Sequence, residues 1–270
     1  QDGTRVRACA GTSSYRREKT LGECLKKAEE HLKFIQKNNE EDPSKHVSQI
    51  KARRKRAAEE RKLNVEKALT FPINHISPYC LTVEPNTLLQ HRVNRGLQQP
   101  IDEQKAQLQY QFLIDKLNEE GWLHYEISNF GKPGYFSRHN TNYWKQVNYI
   151  GLGPSAHSYN GYSRQWNVRD LKKYIKSVNS GKPLFEREEL DRKTQFNEYI
   201  MTSIRTMWGI DLDYVEKTFD KEGYDYITNL AGKFINYGLM NQDKNTLILT
   251  NQGKMISDNI IAELMLPATD

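Results

Sequence analysis

Cysteine is scarce in this 270-residue chain. Cys9, Cys24 and Cys80 stand too far apart for a CxxC or CxxxCxxC spacing. An odd number at wide spacing gives no disulfide framework and fits a reducing compartment, so a cytoplasmic protein is expected. No zinc or iron–sulfur site is legible from that spacing. Long apolar runs are missing as well. Hydrophobic residues make up 37% of the chain, and no stretch approaches the roughly 20 residues of a membrane-spanning helix. There is no charged-then-apolar leader and no initiator methionine. The chain opens on QDGTRV, as an internal piece of a longer protein would. The full GxGxxG dinucleotide fingerprint is absent too, since Gly151 and Gly153 form only a Gly-x-Gly.

The charge that is present is unevenly placed. The chain carries +6 overall, yet residues 1–68 hold 18 Lys and Arg against 11 Asp and Glu, and the remainder is close to neutral. Such asymmetry points to a separate N-terminal module. Within it, Leu21, Cys24, Leu25, Ala28, Leu32 and Ile35 trace one helical stripe. Asp42-Pro43 then opens a second helix that runs to about Leu69 and contains KARRKR at 51–56. The pair reads as a basic helical hairpin. Phosphate neutralisation is one use for it. A solvated helix with mixed charge is the alternative, supported by Glu59, Glu60 and Glu66 and by the lack of aromatics between the arginines.

The central segment predicts a strand, a helix and a strand. Ile73, Ile76 and Tyr79–Val83 suit a buried strand that would also bury Cys80, with Glu84-Pro85-Asn86-Thr87 ending it. A helix over Asp102–Gly121 carries Leu108, Phe112, Leu113 and Leu117, with Gly121 as its stop. A strand follows at Leu123–Ile127. This order fits a parallel α/β layout. The richest stretch runs from Tyr125 to Tyr159, where short apolar pieces around Ile127 and at Tyr149–Leu152 carry Ser128, Asn129, Arg138, His139, Asn140 and Asn142. Polar groups at strand ends are how α/β enzymes present a site. A glycine-rich loop with exposed aromatics is the other reading. Arg164–Asn167 adds a polar cluster beside a Trp166 expected to be exposed.

The C-terminal segment predicts helices at Lys193–Trp208, around Leu212–Phe219 and around Ile227–Ile235. A strand at Thr246–Thr250 follows, and Asn251 caps a last helix. Three helices, a β-wing and a closing helix describe a winged-helix-like module. Its third helix has only Lys233 as a clear cation, which favours packing over DNA reading. Met207 and Met255 are read as core residues.

Two resemblances add to this. DGTRVRACAGTSSYRREKTLGECLKKAEEHL, continuing to KARRKRAAEERKLNVEKAL, resembles an internal piece of DDE-class insertion-sequence transposases. In that family the DGT aspartate, here Asp2, is the first metal-binding acid. The two further acids of a metal pair lie downstream in sequence this chain does not contain. HISPYCLTVEPNT, YEISNFGKPGYFSRHNTNYW and YIGLGPSAHSY resemble the radical S-adenosylmethionine family of oxygen-independent coproporphyrinogen III oxidase and its heme-chaperone branch, from about residue 64 onward. That resemblance implies a partial (β/α) barrel with S-adenosylmethionine and a [4Fe–4S] cluster, acting on porphyrinogen or carrying heme to acceptor proteins. It implies that Gly131 and His157 line the S-adenosylmethionine pocket. Glu126, Asn129, Phe130, Arg138, Asn140, Gly151, Gly153 and Glu84 are implied as further wall residues. The family's CxxxCxxC cluster loop has no counterpart in these 270 residues, so radical generation is not expected of them alone.

The expected architecture is therefore α/β in three parts. Residues 1–68 form a basic transposase-like segment, 69–185 the later part of a barrel, and 186–270 a winged-helix-like domain. Three functional readings stand together: a porphyrin-pathway oxidoreductase or heme chaperone, a transposase-derived nucleic-acid binder, and a chimera joined near Glu60–Leu69.

Overall fold

The computed structural model describes residues 63–267. The basic hairpin, Asp2, Cys9 and Cys24 lie outside the described residues. Two compact units divide the described residues at Ser137/Arg138.

In the first unit a helical segment at 63–69 leads to strand β1 (His75–Ile76), helices α1 (Leu88–Asn94) and α2 (Glu103–Glu119), and strands β2 (Leu123–Glu126) and β3 (Asn129–Gly131). Helix α2 starts where Asp102 accepts a hydrogen bond from the Lys105 amide, and it ends where Gly121 turns at φ +76°. Its buried face is Tyr110, Leu113, Ile114 and Leu117, at offsets of three, four and seven. Leu108, assigned to that face from sequence, points away and is exposed. The face packs on β2, and each fully buried aliphatic there contributes about 1.5–3 kcal/mol.

The strand order is β1-β3-β2. Both outer strands are antiparallel to β3. The expected parallel layout is corrected accordingly: β1 and β2 do run the same way, but β3 folds back from a tight turn and takes the place between them. The expected strand over Tyr79–Val83 is also corrected. Pairing ends at Ile76, Tyr79 and Leu81 are exposed, and Cys80 is exposed rather than buried. β-branched and aromatic content alone does not make a strand where no partner strand continues the ladder.

The second unit begins with α3 (Arg138–Trp144), followed by an antiparallel sheet β4-β5-β6 of His157–Tyr159, Ser163–Asn167 and Phe185–Glu189. Helix α4 (Leu171–Asn179) connects β5 to β6. The apolar piece Tyr149–Leu152 is not a strand. It makes a single bridge, Tyr149 to Tyr159, and Ile150 and Leu152 are exposed.

Next come α5 (Arg192–Ser203), β7 (Ile210–Asp211), α6 (Leu212–Asn236), the hairpin β8 (Met240–Asp243) and β9 (Thr246–Leu249), and helices α7 (Asn251–Met255) and α8 (Ser257–Leu264). Helix α6 is two helices meeting at a break, where Phe219 and Asp220 leave helical geometry. This agrees with the two separate helices read from sequence. Helix α5 is shorter than expected, ending at Ser203. Thr250, not Asn251, caps the following helix through the Gly253 amide. Phe196, Ile200, Ile204, Leu212, Val215, Ile227, Phe234, Leu247 and Ile260 form the core of this part.

Candidate functional site

The two ends of the β1-β3-β2 sheet differ in chemistry. At the starts of β1 and β2 lies a cavity of about 290 Å³ lined by Phe71, Pro72, Asn74, Trp122 and Lys132 among others. The Lys132 ammonium sits 5.6 Å from the centre of the Trp122 ring. At the C-terminal ends of β1 and β2 the side chains are polar and linked to one another.

A β-bulge builds that second end. Leu123 and His124 pair with Gly131 and Phe130, and Glu126 pairs with Asn129, which leaves Tyr125 as the extra residue. The bulge breaks strand alternation, so His124, Tyr125 and Glu126 are all buried. The Tyr125 hydroxyl meets His75 Nε2 at 2.7 Å and accepts from the Ser137 amide at 3.2 Å. Asn129 donates through Nδ2 to the Glu126 carboxylate, which also accepts from the Ser128 amide at 3.2 Å. Ser77 donates to Asn129 Oδ1 at 2.6 Å. The Tyr110 hydroxyl donates to the Ile127 carbonyl at 2.7 Å, with His124 Nε2 3.3 Å away. Burial pushes the phenols of Tyr110 and Tyr125 up and the His75 imidazole down, because each charged form would lose its hydration. All three are therefore neutral at pH 7.

Of the residues singled out from sequence in this unit, Glu126 and Asn129 are hydrogen-bonded partners at the strand ends. Phe130 is fully buried and stacks on His124 at 4.1 Å, so it supports the site from within the core. At Gly131 an added Cβ would stand 3.0 Å from Phe136 Cδ1 and 3.2 Å from the Tyr135 carbonyl oxygen. Its glycine identity follows from the return of its own loop. Glu84 is exposed.

The second unit contains Arg138, Asn140, Gly151, Gly153 and His157. Arg138 and Asn140 lie on α3, where the His139 ring meets Tyr143 edge-on at 4.8 Å. Gly151 and Gly153 form a loop held on both sides. Asn167 donates through Nδ2 to both of their carbonyls, at 3.1 and 3.0 Å. Gly151 N donates to Ser158 Oγ at 3.0 Å, and Gly153 N to the Tyr174 hydroxyl at 3.0 Å. Gly153 has φ +109°, in the region that favours glycine. His157 starts β4, is exposed, and lies 5.9 Å from the Trp166 ring. Trp166 itself is half-buried rather than exposed, with Nε1 donating to Glu186 at 3.0 Å. In the same unit, Arg164 on β5 pairs with Glu198 on α5, both nearly buried. Burial raises the Tyr159 phenol to about 12, with Glu198 adding to the effect.

Sequence reasoning missed the Tyr174 tether and the Arg164–Glu198 pair, whose partners come from distant elements, and the role of Ser158, which a local loop brings back to Gly151. His75 and Ser77 were findable as polar residues interrupting an apolar run. Lys233, the lone cation of the third C-terminal helix, is paired with Glu263 at 2.8 Å, which removes it as a free phosphate contact.

The described residues do not supply the ligands of a [4Fe–4S] cluster. Cys80 is the single cysteine among the described residues, and those residues contain no group of three or more His, Cys, Asp or Glu placed to hold a metal. Among the described residues no helix is long and apolar enough to cross a membrane.

The fold matches that of coproporphyrinogen III oxidase (HemN) from Escherichia coli, a radical SAM enzyme, with a TM-score of 0.59 over 77% of this chain and 51% of that one, at 18% identity. More particularly, the chain is homologous to curated proteins named heme chaperone HemW. It is 32% identical over 209 residues to that of Lactococcus lactis, covering 76% of this chain and 54% of the relative, and 29% identical over 204 residues to that of Bacillus subtilis. A Danio rerio radical S-adenosyl methionine domain-containing protein 1, mitochondrial, is 34% identical over 156 residues, covering 54% of this chain and 35% of the relative. The chain spans about half the length of the first two relatives. No family model matches it.

Proposed function

We propose that the chain is the later part of a heme-handling protein of the heme-chaperone kind, with heme or a porphyrinogen as its ligand and heme-acceptor proteins as its partners. The observation that carries this reading is the homology to proteins named heme chaperone over 76% of the chain. The YEISNF and GLGPSAHSY motifs support it by sitting at strand ends and their loops, while RHNTNYW forms helix α3. In this reading residues 69–185 are the later part of a radical-SAM-type barrel and 186–270 a winged-helix-like packing domain. The order helix, kinked helix pair, hairpin, closing helices supports the second assignment.

Gly131, His157, Glu126, Asn129, Gly151, Gly153, Arg138 and Asn140 then serve as the wall of an S-adenosylmethionine pocket, with Phe130 buttressing it from the core. S-adenosylmethionine with a cluster would supply the radical chemistry. The three cysteines of these 270 residues lack the ligand spacing, so no radical step is assigned to this chain. A cytoplasmic location fits the few, widely spaced cysteines of the sequence. The transposase-like origin proposed for residues 1–68 rests on their sequence resemblance alone.

The test is a titration of the purified 270-residue chain with heme, followed by absorbance in the Soret region. A saturable shift at one heme per chain is expected. A linear, unsaturated response equal to that of an unrelated protein overturns the reading.

A further inference from the structure

Helix α4 has two faces with different jobs. Tyr174 and Ser177 turn toward the body of the unit: Ser177 is buried and the Tyr174 hydroxyl accepts from Gly153 N. Leu171, Ile175 and Val178, at spacings of four and three, line up on another face. They are 60%, 49% and 47% exposed. Apolar residues at helical spacing normally cover a core; here the stripe faces solvent. Leu152 and Leu184 are exposed nearby, the first beside the Gly153 tether and the second through the Val168 N to Leu184 O bond.

The stripe is collared by cations. Lys172 and Lys176 lie one turn apart along its flank, Lys173 beyond them, with Arg169 before the helix and Lys182 after it. None of the five is ion-paired among the described residues. The single acid between residues 169 and 182 is Asp170, and its carboxylate is occupied in capping the helix through Lys173 N.

From this arrangement we infer that α4 is a peripheral docking element for an anionic lipid surface. An aliphatic stripe with a lysine collar inserts at the headgroup boundary while the cations meet lipid phosphates. A second copy of the chain is a poor occupant, because a two-fold contact would set the same cationic collar against itself. Nucleic acid is also a poor occupant, because the stripe is aliphatic and offers no ring for base stacking. This inference does not depend on the heme reading, and its test involves no heme.

The experiment is co-sedimentation of the full 270-residue chain with vesicles of phosphatidylcholine, alone or mixed with phosphatidylglycerol. Binding is expected only to the anionic vesicles, and is expected to weaken with added salt. Lys172→Glu with Lys176→Glu should lower the bound fraction roughly tenfold or more. Ile175→Glu should do the same, and Ile175→Ala should give a smaller loss. All these positions are exposed, so melting temperatures should stay unchanged and separate docking from folding. Equal binding to both vesicle types overturns the inference. So does anionic binding that the helix substitutions leave intact, which would place it in the basic N-terminal quarter. Vesicle-free self-association that Ile175→Glu abolishes would assign the stripe to a second copy instead.

Discussion

Gly151 passes so close to His157 that a Cβ built on it would stand 2.1 Å from the His157 carbonyl oxygen. The obstacle is backbone, so no side-chain rotation relieves it. Gly151→Ala must push the Gly151–Gly153 loop away from β4 and break the bonds from Asn167 and to Ser158 that fix it. The expected cost is about 1–3 kcal/mol, read as a lower urea midpoint with an unchanged slope. Gly153→Ala is strained by its φ of +109° instead, yet a Cβ there meets nothing within 4 Å. Its cost should be nearer 1 kcal/mol. An equal loss at both positions would contradict the contact geometry.

The Arg164–Glu198 pair ties β5 to α5, with side chains only 14% and 11% exposed. Removing one partner of such a pair strands the other's charge. Glu198→Ala should cost about 2–4 kcal/mol, discounted slightly for the residual exposure. The double change Arg164→Met with Glu198→Leu should recover most of that, because no unpaired charge remains. A double-mutant cycle by urea denaturation measures the coupling. A near-zero coupling would mean the pair is solvated in solution.

These contacts mark where the sequence was legible and where it was not. The helix over Glu103–Glu119 was readable because cap, apolar spacing and terminal glycine all agree. The break in α6 at Phe219/Asp220 was readable as a gap between two apolar sets, Leu212 to Phe219 and Ile227 to Ile235. The antiparallel ladder was not, since β3 is three residues long and its pairing is set by a turn rather than by apolar alternation. The Tyr79–Val83 strand was misread because composition does not reveal whether a partner strand exists. At the candidate site, the residue types were legible and the partners were not. Nothing in the local pattern announces that Asn167 holds Gly151 and Gly153, or that Tyr125 is the residue a bulge leaves over. Each such contact spans at least 14 residues or depends on register.

His75 gives the first unit a pH dependence of defined sign. Burial lowers its folded pKa below the ordinary value of 6.5. The unfolded chain therefore takes up the proton more readily than the folded one. Its contribution is fully present above about pH 6.5 and is lost as pH falls below that value. Stability should decline on moving from pH 7.5 toward the folded pKa. His75→Gln, which keeps a polar group near Tyr125 without titrating, should reduce the decline. Thermal melts at several pH values measure both. A steeper decline in the variant would sink the assignment.

Within the proposed heme reading, the iron ligand can be tested residue by residue. Iron is held by a neutral imidazole, among other ligands. The described histidines within the Tyr125–Tyr159 stretch that reach solvent are His139 and His157. In the proposed reading His157 belongs to the S-adenosylmethionine wall, so His139, held edge-on against Tyr143 on α3, is the candidate within this stretch to meet the iron. His139→Ala should weaken heme binding at least roughly tenfold, the equivalent of about 1.4 kcal/mol, and should move the Soret band. His157→Ala should leave the band in place. If His157→Ala alone moves the band, the ligand assignment is reversed. If neither variant moves it, heme, where it binds, is held by groups other than these two rings.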